Sequence, residues 1–183
     1  MIFFHGKDQM TETLSTAAEE GKKQIAITFD DGPNPEYTMK LLEGLKKRGV
    51  KATFFVLGEE VERYPDILKA AYDDGHLIGV HSYQHVNFGQ IGDAAALEQV
   101  EKTRQAIYDV TGEYTGYIRP PYGCWKKELD QELPMIEVLW DIDPLDWATK
   151  DADTVVQRVL QKCPDGSIIL LHDASESSVC AAF

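Results

Sequence analysis

The chain has 183 residues, 43% of them hydrophobic, which suits one domain with a substantial core. It carries 31 acidic against 18 basic residues, a formal net charge of −13, which argues against a basic face for nucleic acid and against docking on anionic lipid. No run approaches the roughly 20 apolar residues of a membrane span, and Cys124, Cys163 and Cys180 offer neither a CxxC thiolate site nor a preferred disulfide pair.

In chain order, residues 1–23 are mixed and polar and read as an N-terminal extension. Its Thr11–Glu20 stretch suits a short helix, and His5 reads as a surface histidine. A rhythm begins at Gln24, and residues 24–183 read as one domain. Gln24–Phe29 predicts a strand. Glu36–Arg48 has helical apolar spacing at Met39, Leu41, Leu42 and Leu45, closed by Gly49. Ala52–Leu57 predicts a strand, Glu60–Asp74 a helix closed by Gly75, and Leu77–Val80 a short buried strand. Ala94–Val110 is the longest helical pattern, with Leu97, Val100, Ile107 and Val110 near one face and Gly112 beyond it. Then follow a short strand at Tyr117–Arg119, a short helix at Lys126–Glu132, a strand at Ile136–Asp141, a helix at Thr154–Gln161 and a strand at Ser167–Leu171. Val179–Phe183 reads as a helix just beginning, which suggests that a last helix and strand lie beyond this sequence.

Strand and helix alternating about six times imply parallel strands with crossover helices. No GxGxxG follows the first strand, so dinucleotide binding has no support. The unusual residues (Asp30, Asp31, His81, Arg119, Asp141 to Asp146, His172) fall at the C-terminal ends of the predicted strands, as barrels place their functional groups. The expected fold is α/β, a distorted, incomplete (β/α) TIM-like barrel with parallel strands.

Five segments stand out chemically. Asp30 and Asp31 repel each other unless a cation sits beside them. His81 and His85, in HSYQH, are at i and i+4, which on a helical turn puts both imidazoles on one face. With an aspartate they make a three-ligand set leaving open positions, suited to zinc or to non-haem iron. Arg119 in RPPYG is a positive charge at a strand end before a stiff turn, able to keep a carboxylate ionised. Asp141, Asp143 and Asp146 crowd a loop with Trp147, and His172 ends an apolar strand where a carboxylate would tune it as a proton carrier. There is no GxSxG serine elbow and no Walker loop. Two adjacent strand residues diverge, which disfavours a glycosidase pair at Asp30 and Asp31.

The ordered set TFDDGP, HSYQH, RPPYG, DW, LLH resembles the polysaccharide deacetylases of carbohydrate esterase family 4 from Gln24 to about His172. The resemblance implies Asp31, His81 and His85 as ligands of a divalent metal, commonly zinc, with cobalt or another divalent ion as alternatives. It implies Asp30 as the general base, Arg119 holding it charged, and the backbone N–H of Tyr122 facing the oxyanion. It implies His172 as the general acid tuned by Asp146, and Trp147 and Leu170 walling the acetyl pocket. Pro144 ahead of the Asp-Trp pair, and the end of the sequence at Phe183, depart from the family pattern. The expected activity is removal of N-acetyl groups from GlcNAc-containing polysaccharide, peptidoglycan first and chitin oligosaccharide next. Acetyl-xylan esterase activity and a non-catalytic glycan-binding module are the alternatives. The expected partner is the polysaccharide, with no nucleic acid, and the chain is expected to act as a monomer. Such a substrate implies an extracellular or cell-surface location, with a leader or anchor removed.

Overall fold

A computed structural model describes residues 23–183. The short helix expected within Thr11–Glu20, and His5, lie outside the described residues. Six strands form a parallel sheet in the order β5-β4-β3-β2-β1-β6: β1 Ile25–Asp30, β2 Thr53–Val56, β3 Leu77–Val80, β4 Tyr117–Ile118, β5 Ile136–Glu137 and β6 Ser167–His172. The six strands curl into the expected incomplete barrel. Among the described residues six α-helices accompany them: α1 Thr38–Arg48, α2 Gly58–Arg63, α3 Pro65–Asp73, α4 Asp93–Thr111, α5 Ala152–Gln161 and α6 Glu176–Ala181.

Strand alternation sorts β1 onto two faces. Ile27 and Phe29 join the large apolar core under the helices, with Phe54, Val56, Ile78, Val80, Ile169 and Leu171. The other face packs a smaller cluster of Phe55, Val138 and Ile168, flanked by Ala26, Leu77 and Tyr117. On β1 that second face carries Thr28 and Asp30, both buried. The chemistry therefore grows from the thinly packed side of the sheet.

Helix α1 shows how local sequence fixes an element. Leu41, Leu42 and Leu45 are 0–2% exposed, each contributing about 1.5–3 kcal/mol by burial, while Met39 of the same predicted pattern is left exposed. Lys46, Lys47 and Arg48 meet the negative end of the helix dipole, and Gly49, at φ 65°, takes the left-handed cap that bonds back to Leu45 and Lys46.

Four elements differ from the sequence expectation. The helix expected over Glu60–Asp74 is two, α2 and α3, because Pro65 cannot continue a helix through Tyr64 and instead starts a new one. Lys127–Gln131 is a 3-10 turn rather than an α-helix. The helix expected to begin at Val179 begins at Glu176, where Ser175 caps it. The strand expected over Ile136–Asp141 pairs with β4 only over its first residues, Ile136 and Glu137, the last bond being from the Val138 N–H to the Ile118 carbonyl. The chain then crosses to the opposite margin of the sheet, where Asp141 and Ile142 bond to Ile168 and Ile142 accepts from Leu170. One stretch, Ile136–Ile142, thus touches β4 at one end and β6 at the other.

Candidate active site

Every unusual segment ends at the same rim, the C-terminal ends of the strands. The rim is also where non-glycine residues adopt left-handed backbone: Asp31 at φ 77°, Ser82 at 68°, His85 at 55°, Tyr122 at 60° and Leu145 at 55°. Such residues cost energy and persist where surrounding contacts hold them.

At Asp31 the left-handed turn ends the strand alternation. The divergence expected of strand neighbours does not hold, and both acids approach one imidazole. Asp30 Oδ2 lies 3.7 Å and Asp31 Oδ1 3.5 Å from His81 Nε2. Asp31 Oδ1 also lies 3.5 Å from His85 Nε2. Asp173 supports this turn from behind. Its carboxyl presses on Gly32 so closely that a Cβ there would meet it at 2.2–2.6 Å, and Thr38 Oγ1 donates to it. Asp173 is wholly buried, and burial pushes its carboxyl up to about 7 despite the Thr38 bond.

HSYQH is an irregular loop rather than the expected helical turn, since positive φ at Ser82 and His85 forbids a helix. The imidazoles still converge, with ring centroids 5.2 Å apart. His81 is buried, and its Nδ1 donates to the Arg119 carbonyl at 2.6 Å, which leaves the Nε2 lone pair facing the acids. Burial holds His81 below the ordinary histidine range, against the pull of Asp30 and Asp31. His85 is steadied by the edge-on Tyr122 ring at 5.0 Å.

Asp31, His81 and His85 offer three ligand atoms within 4.8 Å of one another. Asp31 Oδ1 is buried with no hydrogen-bond partner, an arrangement that costs energy unless a cation fills it. Ligands bound 2.0–2.2 Å from one tetrahedral ion stand about 3.3–3.5 Å apart, and the two Asp31–histidine separations of 3.5 Å match that spacing. The residues fit a divalent ion.

Arg119 leaves the end of β4 fully buried. Its Nη1 donates to Asp30 Oδ1 at 2.8 Å and to Thr28 Oγ1 at 2.6 Å, Nε to the Val138 carbonyl at 3.0 Å and Nη2 to the Leu139 carbonyl at 3.3 Å. The Phe55 ring lies 4.3 Å beneath the guanidinium carbon. The guanidinium thus binds Asp30 and also caps carbonyls of the crossing segment where β5 stops.

On the neighbouring strand β6, His172 Nδ1 donates to Asp146 Oδ1 at 2.9 Å, while Asp146 Oδ2 accepts from the His172 N–H at 2.8 Å and from Ser178 Oγ at 2.5 Å. Burial alone would lower the His172 pKa. The hydrogen bond and charge of Asp146, joined by Asp30 and Asp31, outweigh it and raise the group to about 9. In return Asp146 is held below the usual carboxylate range: burial opposes this, and the His172 and Ser178 bonds overcome it. In the β1–β6 register His172 stands opposite Asp30 and Leu170 opposite Thr28, so Leu170 shares the face of the site. Trp147, on the 3-10 turn Asp146–Ala148, is 65% exposed, as is the Tyr122 ring. Asp141 and Asp143 bond to the backbone of Ile168 and Leu145 instead of joining this cluster, so of the three loop acids only Asp146 does so.

The family profile described as polysaccharide deacetylase matches residues 17–137. The chain belongs to the polysaccharide deacetylase family. Among its relatives, the peptidoglycan-N-acetylmuramic acid deacetylase PdaC of Bacillus subtilis is 40% identical over 175 residues, 93% of this chain and 38% of that protein. The peptidoglycan-N-acetylglucosamine deacetylase PgdA of Listeria monocytogenes is 37% identical over 159 residues, 87% of this chain and 34% of that protein. The chain therefore spans little more than a third of the length of these two relatives. The solved structure of the Bacillus subtilis peptidoglycan deacetylase PdaC superposes with a TM-score of 0.87 at 40% identity, covering 90% of this chain and 82% of that one. This deacetylase family is metal-dependent, in keeping with the Asp–His–His cluster.

Three buried residues around the candidate site have partners that the sequence pattern does not reveal: Thr28, Asp173 and Ser178. Thr28 opens the TFDDGP segment and Asp173 follows His172, which is the only signal either gives. Ser178 has none, because it reaches Asp146 only through the docking of α6.

Proposed function

We propose that the chain is a metal-dependent hydrolase that removes N-acetyl groups from GlcNAc residues of a polysaccharide, with peptidoglycan as its substrate. The observation that carries this reading is a carboxylate, Asp30, and an imidazole held charged by Asp146, His172, paired across adjacent strands beside a three-ligand cluster. Amide hydrolysis needs a base for the water, stabilisation of the oxyanion and a proton for the poor amine leaving group.

Asp31, His81 and His85 would hold the ion, and their nitrogen and oxygen donors suit zinc. When bound, the ion supplies Lewis acidity towards the acetamide carbonyl and the attacking water. Asp30 spends Oδ1 on Arg119, so Oδ2 is the oxygen that accepts the water proton. Arg119 holds that buried carboxylate in place through its 2.8 Å bond. The Tyr122 N–H, on a left-handed residue after the rigid Pro120-Pro121 pair, donates to the carbonyl oxygen as it gains charge. His172, protonated at neutral pH because Asp146 holds it so, delivers a proton from Nε2 to the departing nitrogen. Trp147 and Leu170 enclose the acetyl methyl.

A cell-wall substrate implies action outside the membrane. None of the helices among the described residues is long and apolar enough to cross one.

The test is acetate release from peptidoglycan, GlcNAc oligomers and acetyl-xylan, each with and without chelator. Chelator-sensitive release from the first two supports the proposal. Release from acetyl-xylan alone makes the chain an esterase, and release from none of them leaves a glycan-binding module.

A further inference from the structure

We infer that the Thr28 hydroxyl is a positioning residue for this reaction, fixing the guanidinium of Arg119 so that Asp30 is presented in one orientation. The inference rests on the deacetylase reading for its consequence and on geometry for its existence.

A wholly buried guanidinium has five N–H donors and no acceptor, and each donor left unmet is costly. Four of the five have partners: Nε on Val138, one Nη2 hydrogen on Leu139, and the two Nη1 hydrogens on Thr28 and Asp30. The Nη1 pair decides the matter. The same nitrogen serves the proposed base and the threonine, so the direction of one bond sets the direction of the other.

Thr28 is suited to this because its own proton is already committed. Its Oγ1 donates to the Ile169 carbonyl at 2.7 Å, leaving only lone pairs for Arg119. The hydroxyl therefore acts as a fixed acceptor and cannot rotate into a competing donor. The chain of bonds runs from the β6 backbone at Ile169 through Thr28 and Arg119 to Asp30 Oδ1. Asp30 Oδ2 then stays on the side of His81 Nε2, 3.7 Å away. Thr28 is 0% exposed and sits two residues before Asp30 on the same face of β1, so neither solvent nor substrate reaches it. Its effect passes entirely through Arg119.

A valine at this position keeps the shape and the strand preference and removes only the acceptor and the donor. The experiment compares Thr28→Val and Thr28→Ser with the unaltered chain, zinc-loaded, on a GlcNAc oligomer. Isothermal titration of zinc into the metal-free proteins and a crystal structure of each complete the comparison. Loss of an outer partner of this kind costs about 10–100-fold in activity. The expected result is a fall of that size in kcat for Thr28→Val, with KM and zinc affinity each within about twofold, and recovery to within about threefold of the unaltered chain in Thr28→Ser. The crystal structure of Thr28→Val should show Arg119 Nη1 displaced from Asp30 Oδ1, and that of Thr28→Ser should show the bond intact. The inference is overturned if Thr28→Val keeps kcat within twofold, if its loss lies in zinc affinity instead, or if Thr28→Ser fails as badly as valine. If the unaltered chain releases no acetate, the deacetylase reading falls. The crystal structures then judge the inference alone, an undisplaced Arg119 in Thr28→Val overturning it.

Discussion

The two halves of the site that we propose as base and acid are built alike but kept in different surroundings. On the base side, Asp30 meets a buried cation, Arg119, and the side chains are 3% and 0% exposed. On the acid side, His172 meets a buried anion, Asp146, yet the imidazole is 18% exposed. Each working group leans on a hidden partner of opposite charge, which in turn leans on a hydroxyl, Thr28 or Ser178. The difference lies in access. A base that receives its proton from a small water can be enclosed, whereas an acid that must reach the nitrogen of a sugar has to stand at the mouth.

The largest effect separates chemistry from metal binding on the enclosed side. Asp30→Asn should lower kcat/KM by about 10²–10⁴-fold, the usual worth of a general base, with zinc content by elemental analysis unchanged. Full activity in that variant would remove Asp30 from the role. The open side should fail selectively. His172→Ala should lose about 10²-fold or more on N-acetyl substrates, but much less on an aryl acetate, whose leaving group departs without a proton. Equal losses on both would show that His172 does something other than donate.

The third measurement is thermodynamic. The hydrogen bond and charge of Asp146 raise the His172 pKa to about 9 in the folded chain, from an ordinary histidine value of 6.5. A raised histidine stabilises fully below its unfolded value, and that contribution is lost as pH rises through the folded one. The metal-free chain should therefore lose up to about 3 kcal/mol of stability between pH 6.5 and 9. His172→Gln should flatten the denaturant-midpoint profile over that window, and an unchanged profile would contradict the Asp146 pairing. Smallest of all, Ser178→Ala removes one of three bonds to Asp146, and kcat should fall only about threefold, since the two His172 bonds remain. A loss as large as that of His172→Ala would mean that the hydroxyl, rather than the imidazole, organises the acid half.

What could be read from the sequence follows the range of the interactions involved. Apolar periodicity and closing glycines are local, and they located all six strands and the long helices. Pro65 was an equally local signal, and the continuous Glu60–Asp74 helix neglected it. The short β5 had no such signal: the strand pattern continues to Asp141, but its carbonyls are claimed by Arg119, some 20 positions earlier in the chain. The motif residues converge because they end neighbouring parallel strands, which alternation alone implies. The approach of Asp30 and Asp31 to a single imidazole was hidden, because it depends on a left-handed Asp31 that its neighbours impose. The partnerships of Thr28, Asp173 and Ser178 are hidden for a related reason. A buried hydroxyl or acid is recognisable only once its partner is known, and Ser178 lies 32 residues from Asp146.

The stretch Ile136–Ile142 has a consequence outside catalysis. A curled sheet that fails to close normally offers two raw margins where a stray strand could add itself, the usual route to edge-to-edge aggregation. Here a single crossing segment begins as the two-residue β5 beside β4 and reaches the middle of β6 on the other margin. The same carbonyls that give Arg119 its hold, those of Val138 and Leu139, are withdrawn from any visiting chain, so the interaction that steadies the proposed base also makes the sheet a poor template for self-association.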